Sequence, residues 1–190
     1  MARPRSEDKR NAILAAAEQV IAQEGLSAPT SKIAKAAGVA EGTLFTYFAN
    51  KDDLLNQLYL QIKSTMRDTM MDSYPHKSDA KTRASHFWHK YVEWGVAFPA
   101  SRKTLSQLSV SDRVTEDSKA QGMRSFADIN TLVQHSIAAG VLRAQPPAFV
   151  GAIMGSLAET TMDFMSREPA QAQMYADAGF QSFWNAIAAK

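Results

Sequence analysis

A chain of 190 residues with 45% hydrophobic content is long enough to bury a real core, which excludes a disordered polypeptide, and its lack of cysteine excludes disulfides, thiolate metal sites and cysteine nucleophiles. The net charge of +2 does not by itself mark a nucleic-acid binder, but residues 1–51 hold seven Lys/Arg against five Asp/Glu while residues 52–190 hold fourteen of each. No run of about 18 apolar residues and no cleavable apolar leader is found, so neither a membrane span nor a secretory signal is expected and a cytoplasmic location is.

Apolar residues recur at helical spacing almost throughout, without sustained period-2 alternation, which predicts an all-α fold of about nine helices. The first helix carries Ile13, Ala16, Ala17, Val20 and Ile21 on one stripe and ends at Gly25. Thr30 or Ser31 is expected to cap a short second helix through Ile33, Ala34 and Ala37, broken by Gly38. A third short helix runs from Glu41 to about Phe48. Asn50, followed by Asp52 and Asp53, reads as the cap of a long fourth helix with Leu54, Leu55, Leu58, Ile62, Met66 and Met70 on its stripe, fraying before Pro75. Further helices are expected over Ser78 to Phe98, Glu116 to Ala139, Ala148 to Ser166 and Ala170 to Ala188, separated by Pro99, a polar stretch and the Gly140/Pro146/Pro147 region.

Two short helices joined by a glycine turn, with another packing behind them, is how a helix-turn-helix presents one helix to a major groove about 12 Å wide. The run Thr30-Ser31-Lys32-Ile33-Ala34-Lys35-Ala36-Ala37-Gly38-Val39-Ala40-Glu41-Gly42-Thr43-Leu44-Phe45-Thr46-Tyr47-Phe48-Ala49-Asn50-Lys51-Asp52-Asp53-Leu54 closely resembles the signature of the TetR family of transcription regulators. The resemblance implies a three-helix DNA-binding head over residues 1–51 and a helical ligand-sensing and dimerisation body over 52–190. It also implies that Ala40 to Tyr47 form the recognition helix, that Thr30, Thr43, Tyr47 and Lys51 approach phosphates, and that Glu41, Gly42 and Thr46 face base edges. Ser31 and Lys32, at the start of the second helix, complete the implied DNA-binding set. Phe45 stands where the family usually has tyrosine. Glu41 also suits a helix N-terminus simply by its charge. Arg3 and Arg5, in a basic segment ahead of the first helix, are candidates for the minor groove, with a solvated terminus as the alternative.

In the body, Trp88, Tyr91 and Trp94 crowd one predicted helix, and Met123 and Phe126 open the stripe of another. Most such residues are core, but together with Met66 they can line an apolar cavity in which Asn130, Glu159 and Asp163 supply polar groups. Gly151, Gly155 and Ala158 on one of the last two helices, and Phe180, Phe183, Trp184 and Ile187 on the other, suit dimerisation. In the resembled family such helices form a four-helix bundle between two subunits, so the expected partners are a second copy of the chain, double-stranded DNA with a palindromic operator, and an unidentified small molecule. No membrane partner and no cofactor is implied. His86, His89 and Glu93 share a helical face, but no Glu-x-x-His occurs, so an enzyme or a metal site is not expected.

Overall fold

The computed structural model describes residues 6–189. These form α1 (Glu7–Glu24), α2 (Thr30–Ala36), α3 (Glu41–Tyr47), α4 (Lys51–Met71), α5 (Ala80–Ala97), α6 (Pro99–Ser109), α7 (Glu116–Arg124), α8 (Ala127–Ala138), α9 (Pro147–Arg167) and α10 (Ala172–Ile187), with a short 3-10 turn at Pro169–Gln171. The fold is all-α; an isolated bridge between Leu142 and Ala188 is the extended pairing found among the described residues. The chain gathers into two compact units, one holding the described residues through Ser64 together with Phe98–Arg124, the other Thr65–Ala97 and the residues from Ser125 onward.

The first unit is built on a continuous apolar core in which Ile13, Leu14, Ala17, Ile21, Ile33, Leu44, Phe48, Leu54, Leu55 and Leu58 are fully buried. Burial of side chains of this size stabilises by about 1.5–3 kcal/mol each, which is what holds two seven-residue helices that would not persist alone. Helix α1 stops where Gly25 adopts φ 86°, and Gly38, at φ 69°, turns α2 toward α3. The expected hydroxyl cap of α2 is absent: Pro29 holds the cap position and Thr30 is the first helical residue. The cap of α4 is reciprocal. The Asp53 amide donates to Asn50 Oδ1 and the Ala49 amide donates to Asp53 Oδ2, both at 2.8 Å.

Pro99, expected only to separate helices, opens α6, because a missing N–H costs nothing at the first helical position. Helix α6 packs on α1 through Leu105 and Leu108, and also through hydroxyls: Ser101 donates to Glu18 Oε1 at 2.7 Å and Thr104 to the Glu18 carbonyl at 2.9 Å. The segment after α6 is tied to the start of α4. Arg113 donates to Asp52 Oδ1 at 2.6 Å, and Asn56 Nδ2 donates to the Arg113 carbonyl at 2.9 Å.

The second unit centres on α5, α9 and α10, whose Trp88, Val92, Ala158, Met162, Phe180, Phe183 and Ile187 form one core. Phe180, Phe183 and Ile187, expected on a dimer face, are buried within the chain. The helix expected over Glu116 to Ala139 is broken at Ser125 and Phe126: Arg67 Nε donates to the freed Ser125 carbonyl, and Phe126 turns inward edge-on to Phe87, with centroids 6.1 Å apart. The bridge at Leu142 fastens the end of α10, where the Arg143 amide donates to the Ile187 carbonyl at 2.8 Å and its guanidinium to the Ala188 carbonyl at 2.8 Å.

Candidate nucleic-acid interface

Helix α3 begins behind Ala40, whose extended backbone (ψ 148°) redirects the chain out of the glycine turn. Leu44 and Phe48 are driven into the core of the first unit, and the 3.6-residue repeat then leaves Glu41, Gly42, Phe45 and Thr46 exposed on the opposite side. Ala40 is exposed and Thr43 half-buried beside this face. No heavy atom lies within 4 Å of where a Cβ on Gly42 would sit, so the backbone there is open to close approach from outside. The Thr46 hydroxyl is turned back to the Thr43 carbonyl at 2.7 Å.

The residues around α3 are held by polar contacts. Thr30 donates to Glu41 Oε1 at 2.6 Å, joining the first turns of α2 and α3, so the Glu41 carboxylate is occupied by a neighbouring hydroxyl as well as by the favourable end of its own helix. Lys32 pairs with Glu24 at 2.7 Å across an exposed surface, and Ser31 is exposed beside it. The Tyr47 hydroxyl accepts from the Ser6 amide at 3.2 Å, leaving its own proton available to a further acceptor. Lys51 Nζ donates to the Ala28 carbonyl at 2.6 Å. Burial, and then the neighbouring Arg113 guanidinium, hold the Lys51 ammonium below the usual lysine range, with Asp52 opposing. An ammonium has three donors, so this anchored lysine retains donors for a phosphate.

Arg3 and Arg5 lie outside the described residues. One exposed residue of this face was not singled out as a contact from sequence, and Arg10, expected in a basic arm ahead of the first helix, lies within α1. Phe45 is 44% exposed on the outer face of α3, although its place three and four residues from Gly42 and Glu41 could have flagged it. Arg10 donates to Gln57 Oε1 at 2.6 Å and lies 5.9 Å from the centre of the Phe48 ring, which pins α1 to α4 beneath Tyr47's neighbour.

The residues proposed from sequence to line a ligand cavity are not gathered at one. Trp88, Trp94, Phe126 and Met66 are core residues of the second unit, with Tyr91 stacked on Trp94 at 6.2 Å. Met123 is 60% exposed on α7, in the first unit, while Asn130 and Asp163 are exposed and Glu159 half-buried. The second unit does hold an open cavity of about 430 Å³, lined by Pro75, Lys81, Thr82, Ser85, His86 and Phe180. His89 is engaged by Asp177 at 2.9 Å, which keeps that carboxyl below the usual carboxylate range, and no metal-type cluster with His86 and Glu93 forms among the described residues. Nor is any described helix long and apolar enough to cross a membrane.

Residues 13–58 match the family described as bacterial regulatory proteins, tetR family. Over 72 residues the chain is 40% identical to a fatty acid metabolism regulator protein of Bacillus subtilis, a match that covers 37% of each chain. It is 27% identical over 131 residues to an uncharacterized HTH-type transcriptional regulator, YhgD, of the same organism, covering 68% of this chain and 63% of that one. The matches thus span less than two thirds of the length of these curated relatives. Among solved structures, a tetR family transcription regulator from Shewanella sp. PV-4 is 29% identical and superimposes with a TM-score of 0.88, covering 98% of this chain and 100% of that one. The fold is also that of the Bacillus subtilis regulator FadR solved with stearoyl-CoA, at 19% identity and a TM-score of 0.72, covering 92% and 97% of the two chains. An exposed third helix behind a glycine turn thus lies in a stretch, residues 13–58, that matches the tetR family, on a fold shared from end to end with a solved regulator of that family.

Proposed function

We propose that the chain is a homodimeric cytoplasmic repressor that holds a palindromic operator and is released from it by a small molecule. The observation that carries this reading is the exposure of Glu41, Gly42, Phe45 and Thr46 on a helix whose other side is locked into the core. That surface fits base edges in a major groove, while Thr30, Thr43, Tyr47 and Lys51 flank it as phosphate donors and fix its register. Phe45 adds an apolar group suited to a thymine methyl. Ser31 and Lys32 serve the backbone beside it, and Arg3 and Arg5 the adjoining minor groove.

For the dimer, Phe149, Phe164 and Met174 remain 55%, 41% and 51% exposed on α9 and α10, an apolar surface that a second copy would cover. Two copies place two α3 helices on half-sites about one helical turn apart. The functional division we assign, DNA reading in residues 1–51 and sensing with dimerisation in 52–190, runs through α4, which begins at Lys51 and passes from the first compact unit into the second. A ligand that tilts α4 moves the paired recognition helices out of step with their half-sites. It acts only by binding the two states unequally, and a roughly 100-fold preference shifts their balance by about 2.7 kcal/mol. The stearoyl-CoA complex of FadR supports a small organic molecule as the effector.

The dimer is tested by sedimentation of the purified chain with DNA carrying its site: two chains per duplex site are expected, and one chain per site would overturn the dimer. In vitro transcription from a promoter overlapping that site is expected to fall as protein is added. A rise would replace repression by activation.

A further inference from the structure

Where α4 hands over to α5, the second unit buries polar groups that nothing satisfies. Helix α4 ends at Met71, Ser73 takes a left-handed φ of 55°, and Tyr74 is carried inward until it is 7% exposed. The Tyr74 hydroxyl, Arg83 Nε and His86 Nε2 are all buried without a hydrogen-bond partner. They belong to one cluster: the Tyr74 ring meets His86 edge-on at 5.5 Å, and the Arg83 guanidinium sits 5.4 Å from the Tyr74 ring centre. Leaving one such donor unsatisfied costs about 1–3 kcal/mol, more for a charged group, so three together are a standing demand for an acceptor.

The acceptor has somewhere to sit. His86 is also a wall of the 430 Å³ cavity, beside Lys81 and Ser85, with Pro75 and Phe180 as its apolar lining. The nearby carboxylate is already engaged: Asp79 caps α5 by accepting from the Thr82 amide at 2.9 Å and the Thr82 hydroxyl at 3.0 Å, which holds it below the usual carboxylate range. Asp128 lies 3.6 Å from Arg67. Burial raises the Tyr74 phenol above its ordinary range, against the opposing pull of the Arg83 side chain beside it, so these two groups partly serve each other and His86 is the group left facing the cavity wall. Lys81, whose ammonium lies 5.9 Å from the centre of the Trp184 ring, brings a second cation to the rim.

We propose that this cavity is an oxyanion site, binding a small organic carboxylate or phosphate monoester whose charged end is taken by His86 and Lys81, with the Arg83 guanidinium behind them over Tyr74, and whose apolar end lies against Phe180 and Pro75. Tyr74 supports the site from behind His86. As an effector site it rests on the sensing role proposed above; as a binding site it does not.

The test is calorimetric titration of the purified full-length chain, without DNA, with benzoate, phenyl phosphate and inorganic phosphate at up to millimolar concentration. One equivalent of benzoate or phenyl phosphate per chain is expected to bind, more tightly than inorganic phosphate, and the tighter of the two identifies the head group. His86→Phe should weaken binding about tenfold, as loss of a charge-assisted hydrogen bond does, and Arg83→Gln, which removes a charge behind the site, should weaken it less. Lys81→Gln, on an exposed side chain that folding does not need, should weaken it less. Absence of binding by all three probes, or binding that none of the three substitutions alters, overturns the site. If the bound anion leaves DNA affinity unchanged, the site stands and its role as the inducer site is overturned instead.

Discussion

Replacing Tyr47 with phenylalanine and Lys51 with glutamine together is expected to weaken binding to every DNA sequence by about a hundredfold or more, without changing which sequence is preferred. Each residue is proposed above as a phosphate donor, and a hydrogen bond to a charged acceptor contributes about 1.5–3 kcal/mol. The dependence of log affinity on log salt should flatten by about 1.8, about 0.9 for each of the two Lys51 cations that the proposed dimer loses. Geometry favours these two residues because each is already anchored. Tyr47 is held by the Ser6 amide and Lys51 by the Ala28 carbonyl, so little conformational freedom is lost when a phosphate arrives. Fluorescence anisotropy with one specific and one random duplex, each at several salt concentrations, checks the prediction. Unchanged affinity on both would remove these residues from the phosphate contacts, whereas loss on the specific duplex alone would make them base readers.

The second large effect concerns stability. Trp88 is fully buried, stacks on Phe183 at 5.5 Å with rings 14° apart, and donates from its indole nitrogen to the Ala176 carbonyl at 2.9 Å. Helix α10 comes so close at Gly179 that a Cβ there would stand 2.7 Å from Trp88 Cζ2. Trp88→Ala is expected to cost about 3–5 kcal/mol, lowering the melting temperature by about 10 °C, because it leaves a cavity and removes the indole hydrogen bond that ties α5 to α10. Trp88→Phe should cost distinctly less, since most of the volume is kept and only the hydrogen bond is lost. Urea unfolding followed by circular dichroism measures both. A loss below about 1 kcal/mol for the alanine variant would mean that α5, α9 and α10 do not share the core described.

The legible parts of this fold are those where one local rule dominates. The glycine stops at Gly25 and Gly38, the Asn50 cap with its acidic first turn, and the stripe from Leu54 to Met70 each announce an element by chemistry confined to a few neighbouring residues. Helix α6 was not legible, because its apolar face on α1 is reduced to Leu105 and Leu108, and the rest of the contact is made by Ser101 and Thr104 reaching Glu18 over 83 and 86 residues of sequence. The break between α7 and α8 was hidden for a similar reason. Its cause is Arg67 reaching the Ser125 carbonyl from α4, a long-range contact with no signature in the local run.

The candidate site divides in the same way. The recognition helix follows from a motif of about 25 residues, so α3 stands where the resemblance implied. The proposed anion cavity has no such motif: aromatic stripes such as Trp88 and Trp94 look alike whether they fill a core or line a hollow, and here they fill the core. What marks the hollow is unsatisfied polarity at Tyr74, Arg83 and His86, a property of packing that cannot be counted along a chain.

The proposed pairing of two α3 helices on one duplex is tested by selecting bound fragments from a random duplex pool with the purified chain. The expected product is one enriched palindrome whose half-sites lie about one helical turn apart, lost when Glu41, Gly42 and Thr46 are changed together. Recovery of unselected sequence at moderate salt, with binding that follows charge alone, would contradict it.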